Sequence, residues 1–305
     1  MAAEPAAGDP AVVDPADVCL PFIVNGGAFR GRLVRLTAAA TDILERHKDP
    51  EPVSMLLAEA MAAAVALAGG LKYTGVFTLQ IQSKGPVHML VADITSDGDL
   101  RGCAKFDDTA VAAEVARVSA GGKLPHLVGA GGHLAFTVDQ GPDTERYQGI
   151  VELSGESLAD AVHHYFRQSE QLESALKLAV APPKAAGEPW RAGALLLQRM
   201  PEEGGLKLIS RDELDDAWRT AVILMGSIKD AELLDLSITP ERLLTRLFVT
   251  VGVVPLPRRP IRFKCRCSQE RSERILASFP VEEVRSYAED GKIHMTCEYL
   301  SLIHI

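Results

Sequence analysis

The segment RFKCRCSQERSERILASFPVEEVRSYAEDGKIHMTCEYLSLIHI, residues 262–305, holds three of the five cysteines in the chain. Cys265 and Cys267 form a C-x-C pair, and Cys297 follows after a gap of 29 residues. A cysteine pair, a short helical spacer and a further ligand near a strand end are typical of small zinc modules. A segment this short cannot bury a core, so a metal must supply its folding free energy. The pattern therefore predicts that these cysteines bind Zn²⁺.

The residues around the cysteines affect both reactivity and metal binding. Arg262, Lys264 and Arg266 place positive charge beside the C-x-C pair, which favours the thiolate form. Zinc prefers four ligands, and a closing C-x-x-C would place the fourth at position 300, where this sequence has Leu300. A disulfide framework does not fit an acidic chain with few cysteines and no signal peptide. We expect three thiolates to hold zinc weakly and to leave the segment partly unfolded.

Composition excludes several classes of protein. A chain of 305 residues, 47% hydrophobic with a mean hydropathy of +0.07, can bury a sizeable core. The net charge of −9 argues against nucleic acid as a partner, since phosphate binding needs a basic surface. No apolar run approaches the roughly 20 residues of a membrane span. Residues 1–17 have no basic start and no apolar core, so we expect a disordered tail and a cytoplasmic protein.

Hydrophobic periodicity predicts an α+β fold with a mixed-sheet core and packed helices over residues 18–203. The predicted strands are residues 22–36, 74–82, 87–94, 100–106, 133–139, 146–153, 174–180 and 193–199. The predicted helices are residues 37–47, 53–70, 109–118 and 157–169. The second of these helices is apolar on nearly all sides, so we expect it to be buried in the core.

A helical linker is predicted over residues 204–260, where apolar residues recur at helical spacing. Asp212 is predicted to cap the first helix, and Thr239 with Pro240 to open the second. We expect both helices to be docked at rest. Their apolar faces, including Trp218 and Leu224, also have the pattern of a releasable surface for client proteins.

Two further predictions concern the end of the linker. Leu247 lies on the apolar side of the second helix and completes the predicted client surface. The Pro-rich residues 254–260, VPLPRRP, are predicted to be a hinge into the cysteine-bearing domain at residues 261–305. Within that domain Pro280 is expected to start a short helix, and KIHMTCEY to form a strand.

Motifs of common enzymes are missing from the chain. A nucleophile elbow, a P-loop, an H-E-x-x-H sequence and a convincing carboxylate pair are all absent. We therefore expect a protein that is not an enzyme. A competing interpretation is a zinc-ribbon interaction module that binds RNA or protein, whose RNA binding would weaken with salt and need no oxidant.

Several stretches resemble the heat-shock protein 33 family, bacterial redox-regulated chaperones with a zinc-binding C-terminal switch. They are ERYQGIV (145–151), YFRQSEQL (165–172), AGALLLQRMP (192–201), FKCRCSQER (263–271) and AEDGKIHMTCEY (288–299). The resemblance extends from about residue 18 to residue 299. It implies an α/β core, a helical linker wrapped around the core, and a terminal zinc domain.

The resemblance also implies a function. It indicates an ATP-independent holdase that binds unfolding proteins under oxidative stress, once oxidants have released zinc, and that can dimerise when oxidised. Cys265, Cys267 and Cys297 match three of the four zinc ligands of the family. Cys265 and Cys267 match one switch disulfide, whereas the partner of Cys297 is missing because Leu300 stands in its place.

The last six residues, LSLIHI, do not fit the end of a zinc hairpin, where a second thiolate and a polar return strand should follow Tyr299. The peptide is also a translation of the transposon-end tag used to prepare sequencing libraries. We therefore expect read-through of a contig, and a genuine truncation is the alternative.

Overall fold

A computed structural model describes residues 16–118, 127–129, 131–141, 144–153, 155, 157–170, 172–201, 210–288 and 293–304. The strands are β1 (Val18–Val24), β2 (Phe29–Leu36), β3 (Val76–Gln82), β4 (Val87–Thr95), β5 (Asp99–Phe106), β6 (His133–Asp139), β7 (Tyr147–Glu152), β8 (Ser174–Ala181), β9 (Arg191–Arg199), β10 (Val253–Pro255), β11 (Arg259–Pro260), β12 (Arg262–Phe263), β13 (Met295–Cys297) and β14 (Leu302–His304). The helices are α1 (Ala38–His47), α2 (Glu51–Ala68), α3 (Asp108–Val118), α4 (Leu158–Tyr165), α5 (Arg211–Ser227), α6 (Asp230–Leu233), α7 (Pro240–Phe248), α8 (Gln269–Ala277) and α9 (Val281–Ser286). This content confirms the predicted α+β class.

The first sheet has the order β10-β1-β2-β9-β8, with β11 also paired to β1, and all its pairs are antiparallel. Residues 22–36 were predicted as one strand, but the structure divides this stretch between β1 and β2. The division falls at Asn25, Gly26 and Gly27, which all have positive φ. Glycine and asparagine adopt that conformation at the lowest steric cost, so the chain turns there and forms a hairpin.

The second sheet has the order β12-β5-β4-β3-β6-β7. Strand β12 runs parallel to β5, and the other pairs are antiparallel. Because β12 immediately precedes the C-x-C pair, this pairing places the cysteine-bearing segment at one edge of the second sheet.

Helix α2 lies between the two sheets and confirms the predicted core helix. It contributes to one apolar cluster with residues of both sheets, among them Leu196 of the first and Leu79 of the second. The expectation that no apolar run approaches a membrane span is wrong for α2, which by length and composition is apolar enough to cross a membrane; 78% of it, however, is buried inside the fold. Its uniformly apolar surface is explained by having a sheet on either side.

The linker helices, α5 to α7, cover the opposite face of the first sheet. Their buried residues form a second apolar cluster with residues of β1, β2, β8 and β9. Thr239 caps α7 and Pro240 occupies its first turn, as predicted. The cap of α5 was predicted wrongly: it is Ser210, which exchanges hydrogen bonds with Glu213 in a capping box. The two side chains accept hydrogen bonds from the backbone amides of Ser210 and Glu213, which have no acceptor within the helix. Asp212 alone could not serve both amides.

The predicted hinge at residues 254–260 is part of the first sheet. Strands β10 and β11 pair with β1, and the Leu256 amide donates to the Pro21 carbonyl at 2.8 Å. Pro residues at a sheet edge need no ladder donor, so this Pro-rich stretch can form an edge strand. The chain therefore returns from the linker helices to the core before it reaches the cysteines.

Asp17 was placed in the disordered tail, and this assignment is wrong. Its carboxylate is buried and accepts hydrogen bonds from the Thr37 and Ala39 amides on one oxygen and from the Ala38 amide on the other, at 2.8–3.1 Å. These amides are the unsatisfied donors at the start of α1, so Asp17 caps the helix from a distance in sequence. Residues 1–15 lie outside the described part of the chain.

Candidate functional site

The cysteine cluster, Cys265, Cys267 and Cys297, is assembled from two distant segments. Cys265 and Cys267 follow β12, and Cys297 ends β13. Their three sulfur atoms lie within 4.8 Å of one another, and those of Cys265 and Cys297 are 3.7 Å apart. All three side chains are half-buried free thiols. The structure thus brings together the three residues that the sequence singled out.

The spacing of the sulfur atoms fits metal binding. Tetrahedral Zn²⁺ with bonds of about 2.3 Å separates two thiolates by about 3.8 Å, and the Cys265–Cys297 distance is 3.7 Å. Position 300 lies on the turn after β13, where the Leu300 and Ser301 amides donate to the Cys297 carbonyl. A leucine side chain offers no ligand atom, so the cluster could hold a metal ion with three thiolates and one position left for another donor.

The thiols of the cluster differ in acidity. Burial would raise the pKa of Cys265, but hydrogen bonds from the Cys267 amide and from the thiols of Cys267 and Cys297 outweigh it, and the pKa is lowered. Burial raises the pKa of Cys267 to about 12, and its hydrogen bonds to the other two thiols add to the effect. In the metal-free cluster, Cys265 is therefore more readily ionised than Cys267 and the better nucleophile for oxidation or disulfide exchange.

A buried carboxylate fastens the cluster to the second sheet. Asp93 of β4 is 4% exposed, and its Oδ2 accepts hydrogen bonds from Arg101 at 2.6 and 2.8 Å and from Arg266 at 2.8 Å. The Tyr299 hydroxyl reaches the same oxygen at 3.3 Å, and the Thr78 hydroxyl donates to Oδ1 at 2.6 Å. Arg266 lies between Cys265 and Cys267 in sequence. Its bond to Asp93 therefore attaches the cysteine segment to the second sheet at the C-x-C pair itself.

Arg101 lies between the Asp93 network and the sulfur atom of Cys265. Its guanidinium lies 3.8 Å from the Tyr299 ring centroid, and Nη1 lies 4.0 Å from Cys265 Sγ. Burial, followed by the charge of Asp93, raises the pKa of Tyr299, so this phenol stays neutral. Sequence reasoning missed Asp93 and Arg101. The signal that could have found them is a carboxylate and an arginine placed four residues on either side of Asp97, at the centre of the turn between β4 and β5.

Weaker contacts hold the rest of the segment. Arg262 and Lys264 form ion pairs with the carboxylate of Asp99 at 2.6 and 3.1 Å. The Ser301 hydroxyl lies 3.0 Å from Nδ1 of His47. Most of these side chains are exposed, and exposed ion pairs contribute only about 0–1 kcal/mol each. The Asp93 network is therefore the stronger attachment.

The residues predicted to bind clients are covered by the core. Trp218 is 8% exposed and makes an edge-to-face contact with Phe29 of β2, with ring centroids 5.2 Å apart. Leu224 and Leu247 are half-buried and pack against the same cluster. The expectation that the linker helices are docked at rest is confirmed.

A buried arginine missed by sequence reasoning ties the linker helices to the first sheet. Arg35 of β2 is 1% exposed and donates to the carbonyls of Leu233 at 2.9 Å and Ile238 at 2.5 Å. A third bond reaches the Glu232 carbonyl at 3.4 Å. These carbonyls lie at or just after the short α6, where helical acceptors lack internal partners. Arg35 therefore satisfies backbone groups of the linker from inside the core.

The remaining cysteines are ordinary buried thiols. Burial raises the pKa of Cys19 to about 11 and that of Cys103 to about 12. A protonated, enclosed thiol reacts slowly with oxidants. Of the five cysteines, the three of the cluster are therefore the more accessible to oxidants.

Comparisons with known proteins agree along most of the chain. The family described as Hsp33 protein matches residues 17–301. The 33 kDa chaperonin of Caulobacter vibrioides is 41% identical over 303 residues, which is 98% of this chain and 96% of that protein. The 33 kDa chaperonin of Pseudomonas fluorescens is 36% identical over 280 residues, with coverage of 91% and 86%. The crystal structure of a 33 kDa chaperonin from Thermotoga maritima has a TM-score of 0.76 at 20% identity, covers 94% of this chain and 93% of its own, and shows the same fold.

Proposed function

This chain belongs to the Hsp33 family, and from that membership we propose that it is a redox-regulated, ATP-independent holdase. It would protect unfolding proteins from aggregation under oxidative stress, without substrate turnover. The observation that carries the proposal is the cluster of three thiols within 4.8 Å, attached to the core through the Asp93 network. Such a cluster is a covalent switch placed against the fold that it controls.

We divide the chain into a chaperone core at residues 18–203, a linker at 204–260 and a redox-switch domain at 261–305. Two separate apolar clusters support this division, because one joins the sheets to α2 and the other joins the first sheet to the linker helices. The described residues of α8 and α9 contribute to neither cluster. A segment without a core of its own depends on its cysteines and on its contacts with the second sheet.

Cys265, Cys267 and Cys297 are the proposed ligands of Zn²⁺. Bound zinc would keep the three thiols ionised and supply folding free energy to the segment. Cys265 and Cys267 are the proposed switch disulfide. When it forms, the two thiols lose two electrons and two protons, and hydrogen peroxide takes these up to become two water molecules. Two of the three ligands are then lost, and with them the stability that metal binding provides.

Unfolding of the switch domain would next weaken the contacts that hold the linker. The segment between α7 and β12 is held by its pairing with β1 and by the Arg258–Glu241 ion pair. Once this attachment weakens, α5 and α7 can leave the first sheet and expose Trp218, Leu224 and Leu247. A contiguous apolar surface of this kind binds non-native proteins. The proposed setting is the cytoplasm, with unfolded clients as partners and a homodimer as the oxidised form.

The test is an aggregation assay with a thermally unfolding client protein, followed by light scattering. The full chain is compared after reduction in the presence of zinc and after treatment with peroxide or hypochlorite at mildly raised temperature. We expect only the oxidised chain to suppress scattering. The Cys265→Ser variant should lose activation, whereas the Cys19→Ala variant, which removes a buried thiol outside the cluster, should retain it. An oxidised chain that leaves scattering unchanged would refute the proposal.

A further inference from the structure

A cleft of about 360 Å³ opens where the C-terminal end of α2 meets both sheets. One wall is a row of buried aromatic rings. The centroids of Phe77 and Phe136 are 6.0 Å apart, those of Phe136 and Tyr165 are 4.5 Å apart, and Phe166 continues the row at 5.5 Å from Tyr165. The volume lies within the roughly 300–1,000 Å³ of small-molecule sites.

Arg32 of β2 lines the cleft and is 7% exposed. Its guanidinium lies against Gly70, where a Cβ would overlap it, and it donates a hydrogen bond to the Gln198 side chain. Within the described ranges of the chain, no carboxylate lies at ion-pair distance from Arg32. The end of α2 offers only the partial negative charge of a helix C-terminus, roughly half an elementary charge. Arg32 is therefore a buried cation without a counter-ion in the described structure.

The surrounding charges increase this imbalance. Burial lowers the pKa of Arg32 to about 10; Cys19 opposes this shift, and Arg30 and Arg259 add to it. The guanidinium therefore remains charged at neutral pH, whereas the Cys19 thiol, with its pKa raised to about 11, is neutral there and is not a counter-ion. Arg30 and Lys72 are exposed at the mouth of the same cleft. An unpaired buried charge is costly, and an anion brought into the cleft would offset that cost.

We propose that this cleft binds a small amphipathic carboxylate, with its head group on Arg32 and its apolar body along the aromatic row. The carboxylate accepts charge-assisted hydrogen bonds from the guanidinium, and the apolar body excludes water from Phe77, Phe136 and Tyr165. A cleft with one cationic end and one aromatic wall selects ligands that combine both features. The site is distinct from the cysteine cluster and does not depend on the oxidation of the cluster.

The first experiment uses the full-length, reduced chain and isothermal titration calorimetry. Decanoate at sub-micellar concentration is the probe, and we expect saturable binding of one molecule per chain. Decanol keeps the apolar body without the charge, and decyltrimethylammonium reverses the charge. Decanol and decyltrimethylammonium should each bind at least about tenfold more weakly than decanoate, because neither can form the charge-assisted hydrogen bonds to Arg32. Equal binding of decanoate and decanol, or no saturable binding of decanoate, overturns the proposal.

The second experiment uses variants of the cleft. Arg32→Gln should weaken decanoate binding about tenfold or more and leave decanol binding within about twofold. Met200→Trp places bulk at the partly exposed rim and should weaken binding of both. Arg242→Gln, an exposed arginine on α7, is the control and should bind as the parent does. Circular dichroism verifies folding, and a folded Arg32→Gln variant with unchanged decanoate affinity contradicts the assignment.

Discussion

Asp93 and Arg101 face each other directly across the β4–β5 hairpin, and Arg101 also lies 4.0 Å from the sulfur of Cys265. One ion pair of the second sheet therefore contacts the three-cysteine cluster. The same Asp93 oxygen accepts a bond from Arg266, which separates Cys265 from Cys267 in sequence. Changes at Asp93 should consequently affect both the attachment of the proposed switch domain and the reactivity of its thiols.

We expect Asp93→Asn to detach the switch domain from the second sheet. The change leaves Arg101 and Arg266 without their carboxylate, and breaking a buried pair in this way costs roughly 3–5 kcal/mol. Hydrogen exchange should become faster over residues 262–288, and thiol modification in the reduced, zinc-free chain should accelerate. Asp97→Asn, at an exposed position on the adjoining turn, is the control. Unchanged exchange in a folded Asp93→Asn chain would count against the network.

Replacing Arg35 by methionine should release the linker helices. The change leaves the carbonyls of Leu233 and Ile238 without donors inside the fold, at about 1–3 kcal/mol for each unsatisfied group. We expect the reduced variant to bind an apolar fluorescent dye and to suppress client aggregation without oxidant. Arg242→Met, exposed on α7, should behave as the parent chain. If the variant needs oxidant as the parent does, Arg35 does not hold the linker.

Trp218→Asp tests the apolar contact between α5 and the first sheet. A carboxylate at this buried position would face Phe29 without a partner, which costs several kcal/mol. We expect client binding by the reduced chain, measured by light scattering. Ile223→Asp is the control. Ile223 is 71% exposed on the same helix, so an aspartate there introduces the same charge without burying it. Full oxidant dependence in both variants would contradict the proposed role of this surface.

Leu300→Cys should restore a fourth thiolate. Binding free energies of about 10–16 kcal/mol for structural zinc are shared among four ligands, so one thiolate contributes roughly 3 kcal/mol, or about a hundredfold in Kd. Competition with a chromogenic chelator measures the change. Ser301→Cys is the control, because the Ser301 side chain contacts His47 instead of the cluster. Zinc affinity in the parent chain as tight as in Leu300→Cys would refute the three-ligand argument.

The stability of the chain should depend on pH through Glu59. Burial, with a smaller effect of Asp230 on α6, raises the pKa of this α2 carboxyl from 4.5 to about 7. The folded chain therefore binds more protons than the unfolded chain between these values, so stability falls as pH rises from about 4.5 to 7. Glu59→Gln should stabilise the chain by up to about 3 kcal/mol at pH 8 and by little at pH 4.

Urea denaturation at the two pH values checks this prediction. The exposed Glu45→Gln on α1 serves as the control and should change stability little at either pH. A gain in Glu59→Gln that is equal at pH 4 and pH 8 would show that the effect comes from packing and not from ionisation.

Local patterns predicted much of the fold because they act within a few residues. The uniformly apolar sequence of α2, the Thr239-Pro240 start of α7 and the turns of the second sheet depend on the residues beside them. Part of the candidate site could also be predicted from a local pattern. A C-x-C pair and one distant cysteine indicate a thiolate cluster through their spacing alone, because few other uses of cysteine produce that spacing.

The amino-acid sequence by itself determined most of the elements, the apolar face of the linker helices and the three candidate ligands. Only the tertiary structure decided which buried polar groups meet. Arg35 reaches Leu233 across 198 positions, and Arg266 reaches Asp93 across 173. Such pairs form because a buried charge that lacks hydrogen-bond partners is costly once the sheets and helices have packed. No local spacing encodes that partner, so the attachments of linker and switch are decided by the packing of distant segments.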